Sequence, residues 1–262
     1  MKDFTRDAYR RLLLALHKAD YKFFTFEDWC EGKATGRYVI LRHDVDLRAS
    51  HSLATARIES ELGIRATYYF RVVPQSNQPE IIKAIADLGH EVGYHYEDLT
   101  IFAGNVDKAI QHFITQLTYF RQFYPVQTVC MHGSPTSKWD NRDLWKNYSY
   151  RDFGVIGEPY YDFINLKEVL YLTDTARMWN GDRFNIRDKQ ADKPPGQTHI
   201  SQNQSFHTTF DLINWIDQKP DQQVIMITTH PQRWTNKSVE WIQELLMQNL
   251  KNIAKKWLAN RH

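Results

Sequence analysis

The chain has 262 residues, 42% hydrophobic and 24% charged, with a formal charge of +2. That is the profile of an ordinary soluble globular protein able to bury a substantial core. No basic stripe accompanies the charge, which excludes a nucleic-acid footprint, and no apolar run approaches the about 18 residues that a membrane span needs. Cys30 and Cys130 form no CxxC pair, which argues against a cysteine zinc site. The apolar run before His17 is too short for a signal-peptide core, so the expected location is the cytoplasm.

Residues 4–19 place Tyr9, Leu12, Leu13, Leu16 and His17 at helical spacing, which predicts an amphipathic opening helix. "YKFFTFEDW" reads as a short strand or turn, and 37–46 as the first strong strand. Leu53, Ala54, Ala56, Ile58 and Leu62 predict a helix over 48–62, ended by Gly63. A β-branched and aromatic strand follows at 64–73, then a helix over 77–88 closed by Gly89. "HEVGYH" is a short strand ending at His95, a helix spans 104–123, and "VQTVCMH" is a strand ending at His132. Residues 139–165 predict a short helix and a weak strand near Val155.

"EVLYLTDT" is a further strand, and 182–206 is a long polar loop. "TTFDLINWI" is helical, "QQVIMITTH" is a buried strand, and 237–260 is a long terminal helix. Strand and helix alternate six or seven times with no dividing linker, which predicts a parallel α/β sheet in one domain over 1–262. Within it, 1–36 is expected as a helical extension, 37–235 as the barrel core and 236–262 as the last helix. That helix repeats Trp241, Leu245, Leu246, Leu250, Ile253, Trp257 and Leu258 along one face, with Lys237, Lys251, Lys255, Lys256 and Arg261 over the remainder. Docking onto the barrel is the expected use of this face; peripheral contact with a membrane is the other.

The polar residues fall in a pattern. Asp44, Asp46, His95, His132, Asp174 and His230 each stand at or just past the end of a predicted strand. Parallel barrels place their chemistry on the face where the strands end. Asp44 and Asp46 are two apart, so an extended chain points both to one side. Carboxylates that close share a proton or flank a cation, and aspartate with imidazole suits zinc or another divalent ion. His17 and His112 sit on predicted helices and read as structural, while His51, His199 and His207 join no constellation.

From "RHDVD" to "MITTH", about residues 37 to 230, the motif order resembles the NodB-homology polysaccharide deacetylases, carbohydrate esterase family 4. The variants of "RHDVD" and "GYHYEDL" look like a cytoplasmic branch associated with surface-polysaccharide assembly. The resemblance implies an irregular (β/α) barrel of about seven strands and metal-assisted removal of an N- or O-acyl group from a sugar. It makes Asp44 the general base and Asp46 a metal ligand. His95 matches the first of a histidine pair four apart, whose second member falls on Leu99. "MHGSP" stands where the family has an arginine that orients the base, so His132 becomes either the replacement ligand or a positive partner for Asp44. Glu97 and Asp98 are the other candidate third ligands. "YLTDTARMW" and "MITTH" make His230 the general acid, held in its tautomer by Asp174, with backbone N–H groups of Gly133 to Thr136 around the oxyanion.

The implied cofactor is a divalent metal, zinc first. The implied partner is an acylated sugar, and a nucleotide or lipid phosphate carrying it would meet Arg177 and Arg233. Tyr94, Tyr96, Ser134 and Trp179 are candidate substrate contacts, with Trp139 and Trp234 as further aromatic faces for a sugar. Two other readings stand beside this one. "DVD" imitates the Asp-x-Asp of a glycosyltransferase, and Leu99 with the altered third motif suits a sugar-binding barrel without chemistry.

Overall fold

A computed structural model describes residues 1–134, 137–163, 168–179 and 206–259, with side chains through 250. The strands are β1 (Lys22–Phe24), β2 (Tyr38–Val45), β3 (Thr67–Phe70), β4 (Glu91–Tyr96), β5 (Val129–Met131), β6 (Val169–Thr173) and β7 (Val224–Thr229). The α-helices are α1 (Arg6–Lys18), α2 (Phe26–Cys30), α3 (Ala49–Glu61), α4 (Pro79–Asp87), α5 (Asp98–Ile101), α6 (Val106–Phe120), α7 (Pro159–Asp162), α8 (Thr209–Asp217) and α9 (Ser238–Ala259). All strand pairings are parallel, in the order β5-β4-β3-β2-β7-β6, and the sheet curls into a half-barrel surrounded by helices. This is the irregular (β/α) barrel expected from the sequence.

The hub is β2, buried along its whole length. Its first half pairs with β1, its second half with β3, and β7 lies along the other edge. Strand periodicity then sorts its side chains. Arg42 and Asp44 face inward, whereas His43 faces the helices and meets Glu59 of α3 at 2.8 Å. The Glu59 carboxylate also accepts the Tyr68 and Tyr9 hydroxyls, and the other His43 nitrogen contacts Thr229 Oγ1 at 2.6 Å. A buried carboxylate without such partners would be costly.

Several boundaries differ from the sequence reading. Residues 22–24 form a strand of the sheet, so part of the expected helical extension belongs to the barrel. "FEDWC" is a helix, started by a Thr25–Asp28 capping box. No strand forms at Val155; only a single bridge joins Thr128 and Gly157 there. Asp140, Ser149 and Glu158 each cap a separate short helix, so local side-chain capping outcompetes the strand. The polar loop expected at 182–206 lies almost wholly outside the described residues.

The last helix also departs from expectation. Trp241 packs inward, its indole N–H donating to the Asp3 carbonyl at 2.7 Å, but Leu246 and Leu250 are 59% and 68% exposed. The apolar positions therefore occupy two faces of the helix, and only one is docked. Ile253, Trp257 and Leu258 lie beyond the described side chains.

Toward the start of the strands, Glu91 is fully enclosed. It accepts the hydroxyls of Thr67 and Thr128 and the Glu27 amide. Burial pushes its pKa up to about 7, against the hydrogen bonds that favour the anion. The folded state therefore holds a proton that the unfolded chain releases near pH 4.5, and stability attributable to this group falls as pH rises toward 7. Urea denaturation should show wild type losing on the order of 3 kcal/mol relative to Glu91→Gln between pH 4.5 and 7.5. Parallel pH profiles for the two proteins would contradict this assignment.

Candidate active site

The curled parallel sheet delivers one polar side chain after another to the face where its strands end. Asp44 lies near the end of β2 and Asp46 one residue past it; His95 is near the end of β4. His132, Asp174 and His230 each immediately follow β5, β6 and β7. Asp46, His95, His132 and His230 converge, whereas Leu99 is buried in the core on α5.

His95 is held by a hydrogen bond of 2.9 Å between Nδ1 and the Cys130 carbonyl. A carbonyl only accepts, so Nδ1 carries the proton and Nε2 keeps a lone pair. Burial, reinforced by neighbouring His132 but opposed by Asp44, lowers the His95 pKa to about 4, so the ring is neutral at pH 7. His132 is positioned by main-chain bonds: its N–H donates to Tyr96 O, and its carbonyl accepts from Asn141 Nδ2, both at 2.8 Å. Its Nδ1 lies 3.2 Å from both His95 Nε2 and Asp46 Oδ1, and the remaining His95–Asp46 edge is 3.7 Å.

Those three atoms could hold a metal. Ligands about 2.1 Å from a tetrahedral ion stand about 3.4 Å apart, which matches the triangle. Asp46 Oδ1 is buried and makes no hydrogen bond, leaving its charge to be met from within the triangle. Burial would raise the Asp46 pKa, but His132, His230 and His95 together keep it well below the usual carboxylate range. The donor set fits a divalent first-row ion.

Asp44 sits outside the triangle, with Oδ2 3.9 Å from His95 Nε2. Fully buried Arg42 donates to that Oδ2 at 3.2 Å and to the Tyr160 hydroxyl at 3.3 Å. Burial opposes the guanidinium charge, and Asp44 more than restores it. The other oxygen, Oδ1, is buried without a hydrogen bond. One carboxylate oxygen is therefore clamped while its twin is left able to take a proton.

Across the cluster, His230 Nε2 is 3.8 Å from Asp46 Oδ2. Its Nδ1 is 2.6 Å from Asp174 Oδ1, and its main-chain N–H donates to Asp174 Oδ2 at 2.9 Å. Trp234 Nε1 donates to the same Oδ2 at 2.8 Å, and Arg233 binds Asp174 from behind. Burial would raise the Asp174 pKa, but Arg233 and His230 hold it at about 2. The ionised carboxylate fixes Nδ1–H, leaving Nε2 toward the cluster.

The remaining sequence candidates are placed differently. Tyr94 and Tyr96 flank His95 and so face the opposite side of the strand, packed on Phe113; Tyr94 also bonds Asp98. Trp179 is buried, donating to Thr209 Oγ1 at 3.0 Å, and Trp234 is core. Trp139 packs over Gly104, where any Cβ would collide with its ring. Tyr94, Tyr96, Trp179 and Trp234 are thus buried packing residues that offer no exposed face to a sugar.

Ser134 lies nearer: its hydroxyl donates to Glu97 Oε2 at 3.4 Å, and that oxygen is 3.9 Å from His132 Nε2. Glu97 itself is gripped by Arg71 through two bonds of 2.8 Å, and Asp98 is taken by Tyr94 and His112. Of the candidate third ligands, His132 is the one that completes the triangle. Gly133 is described, but Pro135 and Thr136 of the expected oxyanion loop are outside the described residues. Arg177 stacks on Phe4 and Trp241, and Arg233 donates to the Asp174 carbonyl. Sequence reasoning missed Arg42, although its spacing of two from Asp44 was the available signal.

No protein-family model matches the chain, and no curated protein does. Solved structures do. A carbohydrate esterase family 4 pseudoenzyme from Bacillus anthracis is 13% identical, with 84% of this chain and 66% of that one covered and a TM-score of 0.40. A family 4 carbohydrate esterase from Streptomyces lividans, in complex with acetate, is 17% identical, with 84% and 91% covered and a TM-score of 0.37. The peptidoglycan deacetylase PdaC from Bacillus subtilis is 13% identical, with 85% and 98% covered and a TM-score of 0.38.

Proposed function

We propose that the chain is a metal-assisted hydrolase that removes a small acyl group, N-acetyl or similar, from a sugar in the assembly of a surface polysaccharide. The reading rests on one observation. A triangle of ligand atoms sized for a divalent ion lies 3.9 Å from a clamped carboxylate at its His95 corner, and an aspartate-held imidazole stands 3.8 Å from the other oxygen of Asp46.

Asp46, His95 and His132 would hold the ion. When bound, it supplies polarisation of the acyl carbonyl and lowers the pKa of a water toward neutrality. Asp44 takes the proton of the attacking water at Oδ1 while Arg42 holds Oδ2. The water oxygen bonds to the acyl carbon and the carbon–nitrogen bond breaks. His230 donates a proton from Nε2 to the departing amine while the Asp174 carboxylate, hydrogen-bonded at Nδ1, stabilises the charged ring. Release of the Asp44 proton with uptake of one at His230 restores the starting state. Products are the free amino sugar and a carboxylic acid. A sugar-binding barrel without turnover keeps the support of Leu99, which supplies no ligand.

Ion binding is tested by zinc competition against a chromophoric chelator. One equivalent should bind, and Asp46→Ala, His95→Ala and His132→Ala should each weaken it by about 100-fold or more. Undiminished affinity in His132→Ala would remove it from the ligand set. Activity is tested by acetate release from a panel of N-acetylated amino-sugar oligomers. Asp44→Asn and His230→Ala should each lower kcat by about 100-fold or more with zinc affinity retained. Stoichiometric zinc without acyl release from any sugar would favour the binding barrel.

A further inference from the structure

Each imidazole at the strand ends presents one nitrogen to the cluster and turns the other away. For His95 the far nitrogen meets the Cys130 carbonyl, and for His230 it meets Asp174. For His132 the far nitrogen is Nε2, and the group facing it is Glu97, with Oε2 at 3.9 Å.

Glu97 is held firmly in that position. It is buried, one residue beyond β4, and Arg71 grips both of its oxygens. Arg71 directly follows β3, and its main-chain N–H donates to Ser76 Oγ, which in turn donates to the Val45 carbonyl at the end of β2. β3 brings no member of the ligand triangle, yet it fixes a carboxylate beside it. Ser134 Oγ also contacts Oε2 at 3.4 Å, and Asn141 bridges that hydroxyl to the His132 carbonyl. The carboxylate is thus set, and the His132 ring is the partner that turns to close the remaining gap of about 1 Å to hydrogen-bond length.

Two carboxylates compete for one proton on this ring. His132 Nδ1 lies 3.2 Å from Asp46 Oδ1, which favours the proton on Nδ1. An ion in the triangle needs the Nδ1 lone pair, so the proton must sit on Nε2, where Glu97 accepts it. We infer that Glu97 is the positioning residue of the triangle, selecting the tautomer of His132 that offers Nδ1 to the ion. This rests on the ion-binding reading above and gives Glu97 a role other than ligand.

The test compares Glu97→Gln and Arg71→Gln in the full chain, by zinc competition and by nitrogen NMR of the histidine rings. Both variants break the same ion pair, but only the first removes the carboxylate. Its single carbonyl oxygen serves Arg71 and leaves an N–H toward His132. Glu97→Gln should weaken zinc binding by about tenfold or more, and Arg71→Gln by clearly less. In zinc-free protein with neutral rings, Glu97→Gln should also move His132 toward the Nδ1–H tautomer, a change that loss of a structural ion pair does not produce. Equal losses of affinity in the two variants, or an unmoved tautomer, would overturn the proposal and leave the triangle intact. Wild-type protein that binds no zinc would overturn both.

Discussion

The buried pair of Arg42 and Asp44 is the constraint around which the inner face of the sheet is arranged. Two charges taken out of water cost several kcal/mol each unless geometry and further hydrogen bonds repay it. Here the repayment is partial: Arg42 reaches Asp44 and Tyr160, while its Nε and Nη1 and Asp44 Oδ1 make no hydrogen bond. A fold optimised only for stability would fill this volume with apolar side chains. Holding a carboxylate with one free oxygen at a strand end serves chemistry better than it serves packing.

Behind that pair, the other face of β2 is tied down. His43 bridges Glu59 of α3 to Thr229, the residue preceding His230, and lies stacked on Tyr68 with ring centroids 4.1 Å apart. Burial would raise the Glu59 pKa, but His43 keeps it low, so the network stays charged and directional. Because Asp44 follows His43 and His230 follows Thr229, this one bond links the two strands whose ends carry the proposed base and acid. The precision of the mouth is thus set from outside the barrel.

How far the sequence disclosed all this varies with the physics involved. Strands and helices with strong periodicity were legible to within a few residues, because burial on one or both faces leaves a direct pattern. The polar strand ends were legible for the same reason: Asp44, His95, His132, Asp174 and His230 follow apolar runs that could only be strands. What stayed hidden was orientation. Tyr94 and Tyr96 beside His95 suggested contacts that strand alternation forbids. The structural partners of Arg233 and Arg177, Asp174 and Trp241, were not legible because they are distant in sequence. The 139–165 region was lost to short capped turns, whose signals extend over only three or four residues.

The two departures at Leu99 and His132 make sense as one linked exchange. In the proposed site, a ligand expected from a helix four residues past His95 is supplied instead by the strand end that follows β5. With position 99 released, α5 buries Leu99, and Asp98 turns to Tyr94 and His112. Placing His132 in the ligand triangle, however, takes it from the second role the sequence left open to it, as the cation beside the base. Arg42 supplies that cation from β2 itself, at a position that alternation already aims at Asp44. In that proposed site the ligands come from the ends of β2, β4 and β5, strands of one sheet in which β3 lies between β2 and β4. A triangle carried by hydrogen-bonded strands depends less on the placement of a single short helix than one completed from α5 would.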